Sequence, residues 1–253
     1  TCHGETIIYG HPFACWYKPG HGPVNLFSAI RYSCNIYYYH LGKRLGIENI
    51  ARYARVLGFG RKTGIDLPGE KEGLVPDPEW KARIRKTPWY PGETISVSIG
   101  QGPINVTPVQ VAFHTAIIAN RGKKMVVPHL VRGKTYKEGV SLTIKKKNIE
   151  RVIKGMWQSA NMKGTARAAK VDGFDVCGKT GSTQLVGRET AEKLADRKIK
   201  IKTHSWFTGF APRDNPRVVV TVIVEYGGMG GVAAAPIAGE LFRLYKKKKA
   251  QYD

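Results

Sequence analysis

The sequence predicts an α+β fold, mainly an antiparallel sheet with helices packed on its faces, on three observations. Apolar residues recur at helical spacing from Val24 to Gly58, after Thr107 and from Ile149 to Ala160. From about Phe174 the period changes to the alternation of strands rich in β-branched and aromatic residues. Two of those strands are joined by a short turn, Pro212-Arg213-Asp214-Asn215-Pro216, which makes them antiparallel neighbours.

Thr1 to Gly22 is rich in Gly, His, Pro and Cys without either period, so it reads as a loop held by something other than a core. Leu26, Ala29 and Ile30 then share a helical face, an apolar run from Ile36 to Leu45 follows, and Ile47, Ile50, Ala51, Ala54 and Leu57 continue it to Gly58. Between Gly58 and Pro103 the density of Gly, Pro and charge predicts extended and turn structure. Thr107 is a good N-cap, Pro108 suits the first helical position, and Gln110 completes a capping box for a helix that Gly122 closes. Another helix carries Ile149, Val152, Ile153, Met156, Trp157 and Ala160. The strand pattern begins at Phe174 to Cys177 and leads into Gly178 to Thr183, two strands are expected at 204–211 and 217–226, and a last helix at 233–245. The segment 185–203 is charged, lacks a convincing apolar face, and reads as a loop with room for a short helix.

With 253 residues, 42% of them hydrophobic and 24% charged, the chain can bury a real core. No stretch approaches the roughly 18 apolar residues of a spanning helix. The net charge is +22, much of it in Lys145-Lys146-Lys147 and in a basic tail at 246–253 that reads as solvated. An acidic surface or polymer suits that balance, whereas no aromatic-basic signature or zinc-finger spacing points to nucleic acid.

Two short motifs carry the chemistry. Ser33-Cys34-Asn35 has the Ser-x-Asn form, and Lys179-Thr180-Gly181 is followed by Ser182-Thr183. Either alone is a weak signal, although both belong to a motif set of acyl-transfer enzymes that also includes Ser-x-x-Lys. Their setting is more specific. Ser-x-Asn lies between two predicted helices, and Lys-Thr-Gly lies on a predicted strand ahead of His204-Ser205-Trp206-Phe207-Thr208-Gly209-Phe210-Ala211-Pro212. Pro91-Gly92-Glu93, Ser98-Ile99-Gly100-Gln101-Gly102 and Val106 to Gln110 fall between them. On these residues the chain resembles class B penicillin-binding proteins, particularly the elongation type called penicillin-binding protein 2, from about Gly20 to Leu244.

The resemblance implies a penicillin-binding-protein transpeptidase fold, incomplete at its amino-terminal side, over residues 1–253. It implies a peptidoglycan D,D-transpeptidase that works through a serine acyl-enzyme and is inhibited by β-lactams. Ser33 would relay a proton to the leaving group, Asn35 would bind the substrate amide, and Lys179 would supply a fixed positive charge. Thr180 and Thr183 would offer hydroxyls to the substrate carboxylate, Gly181 and Ser182 would complete the binding strand, and the Thr183 backbone N–H is a candidate oxyanion donor. No Ser-x-x-Lys occurs in the sequence, and Ser28, the one serine before Ser33, is followed by Ala, Ile and Arg. The nucleophile is therefore expected upstream. The resemblance also implies an upstream membrane anchor and a place on the periplasmic face of the inner membrane. Its implied partners are the stem peptide, β-lactams, a membrane-embedded glycosyltransferase and elongation-complex proteins. A β-lactamase or D,D-carboxypeptidase of the same fold, or a non-catalytic β-lactam sensor, stands as the alternative.

Three further features complete the reading. Gly164-Thr165-Ala166-Arg167 resembles the family segment leading to the Lys-Thr-Gly strand, and equally fits a helix end and turn. The cluster Gly227 to Gly231 reads as a flexible loop near the cleft, since no Lys-Ser/Thr follows it as a phosphate loop requires. Cys2, Cys15, His21 and Cys34 are spaced Cys-x12-Cys-x5-His-x12-Cys, a donor set for tetrahedral structural zinc that would hold residues 1–35 together. A Cys2–Cys15 disulfide with His21 as a loop residue is the alternative.

Overall fold

The structure, a computed structural model, describes residues 1–123, 127–131, 144–184 and 203–249. Its elements run β1 (Glu5–Ile8), β2 (His11–Ala14), α1 (Leu26–Tyr32), α2 (Asn35–Val56), α3 (Pro78–Arg85), α4 (Pro91–Val97), α5 (Pro108–Ala119), α6 (Lys146–Asn161), β3 (Cys177–Thr183), β4 (His204–Ala211), β5 (Val218–Val224) and α7 (Ala234–Lys249). The contacts divide into two units: residues 1–29 with 34–152, and residues 30–33 with 153–253.

In the first unit the opening segment is a hairpin and not an irregular loop. β1 and β2 pair antiparallel around Tyr9-Gly10, both with positive φ, which is the backbone a two-residue turn needs to match strand twist. Its packed side chains are Cys2, Ile8, Cys15, Ala29, Cys34, Ile36, Tyr39 and Ile95. α1 starts where the Asn25 side-chain oxygen accepts the backbone N–H groups of Phe27 and Ser28, each at 3.0 Å. α2 is long and kinked at Gly46, whose backbone leaves the helical region.

The stretch 58–103 departs from expectation, because it contains α3 and α4. Asp77 caps α3 through the Trp80 N–H, and Pro78 and Pro91 each sit in a first turn where the missing N–H costs nothing. The buried Lys81 of α3 donates to Glu93 of α4 at 2.6 Å, so a tertiary ion pair supports two short helices that local sequence leaves marginal. α5 has the expected Thr107 capping box, and Gln110 also donates to the carbonyls of Arg61 and Glu72.

The second unit holds a three-stranded antiparallel sheet in the order β3-β4-β5, with Lys179 opposite Thr208 and Gly178 opposite Gly209. α7 lays Ala234, Ala235, Ala238 and Phe242 into a core shared with Val176, Phe207, Ala211 and Val220. Its basic end is ordered and not a free tail: the helix continues to Lys249, and the Lys246 ammonium donates to the Asp172 carbonyl at 2.7 Å. Cationic side chains there face the negative end of the helix dipole. The loop expected over 185–203 lies outside the described residues except for Thr203.

Candidate active site

Residues 30–33 and β3, both of the second unit, bring the catalytic candidates together. Ser33, the residue after α1, holds φ of 55°, a left-handed backbone uncommon for a non-glycine residue. The Ser33 N–H reaches the Ile30 carbonyl at 3.3 Å and closes the turn. On β3, the Lys179 ammonium donates to Ser33 Oγ at 2.8 Å and to the Thr180 carbonyl at 2.7 Å. An ammonium can only donate, so Ser33 Oγ is the acceptor and keeps its own hydrogen for another acceptor. Loss of water around Lys179 brings its pKa down from 10.5 to about 8. Its charge is predominant at neutral pH, yet close enough to titration to respond to its surroundings.

The other residues of the motif have separate placements. Thr180 Oγ1 donates to Thr165 Oγ1 at 2.8 Å. Ser182 Oγ accepts the Gly230 N–H at 3.1 Å, and Gly181 and Thr183 lie along the same strand, paired with Trp206 and His204. The glycine cluster is pinned, in contrast to the flexible loop read from sequence. Besides Ser182, Thr203 Oγ1 donates to the Gly228 carbonyl at 2.8 Å and Ser205 Oγ to the Met229 carbonyl at 3.2 Å. A Cβ at Gly230 would stand 2.4 Å from the Gly181 carbonyl oxygen, so only glycine lets this loop lie on the strand.

Ser-x-Asn is divided between the units after Ser33. In the first unit Cys34 is fully buried and precedes α2, and the Asn35 amide faces the Ala14 carbonyl at 3.5 Å. Cys2, Cys15, His21 and Cys34 converge: one ligand atom from each lies within 4.8 Å of all the others, and none of the cysteines is in a disulfide. His21 Nδ1 is 3.6 Å from Cys2 Sγ and 3.5 Å from Cys15 Sγ. A tetrahedral zinc with usual Zn–N and Zn–S lengths requires an N···S edge of about 3.6 Å, so the donor set fits that ion. The hydrogen bond from Cys34 holds the Cys15 thiol down at about 4 and raises Cys34 in return. A bonded thiol–thiolate pair of this kind is what a cation would replace. The rings of Trp16 and Tyr17 pack against His21 with centroids 5.6 and 5.2 Å away.

The family described as penicillin binding protein transpeptidase domain matches residues 1–243. The chain belongs to this family. Peptidoglycan D,D-transpeptidase MrdA of Acinetobacter baumannii is 41% identical over 238 residues, which are 88% of this chain and 35% of the relative. Among solved structures, Pseudomonas aeruginosa PBP2 in complex with WCK 5153 matches with a TM-score of 0.84 and 34% identity, over 96% of this chain and 54% of that one. The Helicobacter pylori PBP2 in a complex with MreC gives 0.82 and 32%, over 95% and 44%. The chain thus spans about half or less of each relative's length. Transpeptidase membership explains why the sequence carries both Ser-x-Asn and Lys-Thr-Gly, and the 2.8 Å contact shows them meeting at Ser33 and Lys179. Sequence reasoning left Thr165 and Ser159 unassigned. The signal for Thr165 was its place in Gly164-Thr165-Ala166, while Ser159 looked like any polar residue near a helix end.

Proposed function

We propose that this chain supplies the proton-relay and substrate-binding part of a peptidoglycan D,D-transpeptidase. The observation that carries the reading is the Lys179–Ser33 hydrogen bond at 2.8 Å. Acyl transfer from a D-alanyl-D-alanine stem peptide needs a nucleophilic serine, a donor for the departing amine and a positive field near the developing charge. Lys179 gives its proton density to Ser33 Oγ and leaves the Ser33 hydrogen to pass to the leaving nitrogen. Thr183, Gly181 and Ser182 line the strand along which an extended peptide or a β-lactam would lie. The nucleophile is not among these 253 residues in a Ser-x-x-Lys setting, so the reaction belongs to the protein that contains both parts.

The same reading places the intact protein on the periplasmic face of the inner membrane. No helix among the described residues is long and apolar enough to cross a membrane. Partners from the elongation machinery are favoured by the relative solved in complex with MreC, and a glycosyltransferase by the one solved in a peptidoglycan synthase complex that coordinates polymerization and crosslinking. Structural zinc held by Cys2, Cys15, His21 and Cys34 suits the three thiols and one imidazole gathered there. The metal would cross-link the hairpin segment to the start of α2. Elemental analysis of protein purified without added metal should give close to one zinc, and a Cys2–Cys15 bridge in the peptide map without metal would remove the ion.

The decisive experiment is acylation of the nucleophile-containing protein with a fluorescent penicillin. A transpeptidase holds the adduct for a long time, whereas rapid turnover would assign a β-lactamase or carboxypeptidase. This chain alone should form no adduct by mass spectrometry, and a stable adduct on Ser33 would refute its relay role.

A further inference from the structure

We propose that Thr165 is a positioning residue for the transpeptidation reaction, a strut that sets Ser33 against Lys179. Its two ends reach both partners of that pair. The Thr165 N–H donates to the Arg31 carbonyl at 3.1 Å, two residues before Ser33. The Thr165 hydroxyl accepts from Thr180 at 2.8 Å, one residue after Lys179. A single residue therefore ties the end of α1 to β3 at the point where the catalytic side chains meet.

The bonding has a direction. Ser159 is fully buried, and its Oγ donates to the Arg31 carbonyl at 3.5 Å. Ser159 Oγ and Thr165 Oγ1 are also 3.5 Å apart. A hydroxyl has one hydrogen. Because Ser159 gives its hydrogen to Arg31, Thr165 gives to Ser159 and Thr180 gives to Thr165, in a chain that ends on the Arg31 carbonyl. The 3.5 Å links are long for O–H donors, so the 2.8 and 3.1 Å bonds carry most of the restraint.

The neighbours of Thr165 leave it no slack. A Cβ on Gly164 would stand 2.5 Å from the Ser159 carbonyl oxygen, and the Ala166 N–H donates to that same oxygen at 3.2 Å. Ala166 is fully buried. In Gly164-Thr165-Ala166, therefore, the glycine permits close approach to α6, the threonine is the strut, and the alanine is a small packed anchor. Ser33 needs such support, since a left-handed non-glycine backbone persists only where its surroundings determine it.

The inference rests on the transpeptidase reading, and the test separates the two. In the intact, nucleophile-containing protein, Thr165→Val removes the hydroxyl at nearly constant volume and Thr165→Ser restores it. The binding constant Kd for penicillin and the acylation rate k2 are measured separately by stopped flow, with the melting temperature alongside. Thr165→Val should lower k2 by about 10- to 100-fold, the cost of misplacing a reacting group, with Kd within about twofold. Thr165→Ser should recover most of the rate. Ser159→Ala, at a weaker link, should lower k2 by about two- to threefold, and it remains the test if Thr165→Val does not fold: an unchanged k2, or a raised Kd with k2 unchanged, would then overturn the strut. An unchanged k2 in Thr165→Val, or equal losses in the Val and Ser variants that track melting temperature, would overturn the proposal. Failure of the wild type to acylate would overturn the transpeptidase reading instead.

Discussion

Replacing Lys179 with methionine should remove a pH dependence of stability that can be worked from its surroundings. The folded-state pKa is about 8, against 10.5 for the free side chain, because burial strips water from the ammonium. Below about pH 8 the lysine is charged in both folded and unfolded chains, and the folded state bears the full desolvation cost. Between about pH 8 and 10.5 the folded lysine is neutral while the unfolded one still binds a proton and loses it gradually, so the cost fades as pH rises. Linkage gives a cost of about 3 kcal/mol near pH 7 and about 1 kcal/mol near pH 10.

Urea unfolding of wild type and Lys179→Met at those two pH values isolates the effect, since every other titrating group is common to both. The wild type should gain about 2 kcal/mol on the variant across the interval. A difference below about 0.5 kcal/mol would mean that Lys179 is well solvated, and the argument from burial would fail. The same titration should appear in catalysis with the opposite benefit. If the charge on Lys179 polarises Ser33, acylation of the intact protein should fall as pH rises through about 8, and Lys179→Met should lower it about 100-fold or more without unfolding the protein.

Three more outcomes follow from particular contacts. Burial pushes the His114 pKa from 6.5 to about 4, and its Nδ1 has no hydrogen-bond partner, so stability is lost as pH falls below 6.5. His114→Phe should abolish a loss of about 2 kcal/mol near pH 5 in urea unfolding, and an identical acid profile in the variant would refute this. Glu93→Ala should cost about 3 kcal/mol because it leaves the buried Lys81 unpaired, whereas Lys81→Met with Glu93→Leu should cost about 1 kcal/mol or less; equal losses would show the pair itself to be the stabilising element. Ser33→Gly relieves a left-handed backbone and should leave stability unchanged or raise it by about 1 kcal/mol while removing acylation of the intact protein, a thermal melt and a penicillin label sufficing to check both.

Much of the fold was legible where local chemistry and tertiary packing agree. The Thr107 capping box, the apolar face of α6 and the β-branched run of β5 each announce their element in a few residues, and each is where expected. The misses have a common physical cause. α3 and α4 are seven or eight residues long, below the length at which propensity alone decides, and the Lys81–Glu93 pair that supports them joins residues twelve apart. The β1–β2 turn is Tyr9-Gly10, without the Asn-Gly or Asp-Gly signal of a hairpin. At the site, Lys179 and Ser33 were legible as motifs, but the bond between them joins positions 146 residues apart. Thr165 was harder still, because its role is defined by what lies at its two ends.

Ser33 and Cys34 show how a motif hydroxyl and a fold position share one turn. Cys34 is buried with no exposed surface, its N–H donates to the Ala29 carbonyl at 3.0 Å, and it stands at the start of α2. Its neighbour must therefore reverse the chain within one residue, and the left-handed φ of 55° at Ser33 does so. Glycine would make that turn at lower cost, by about 1 kcal/mol, so the fold alone does not call for serine. What calls for it is the hydroxyl, placed 2.8 Å from Lys179. The strain is sustained because both sides of the turn are fixed, on one by the burial of Cys34 and on the other by the hold of Thr165 and Ser159 on the Arg31 carbonyl. Loosening either side would first cost the alignment of Ser33, and only a larger loss would cost the fold.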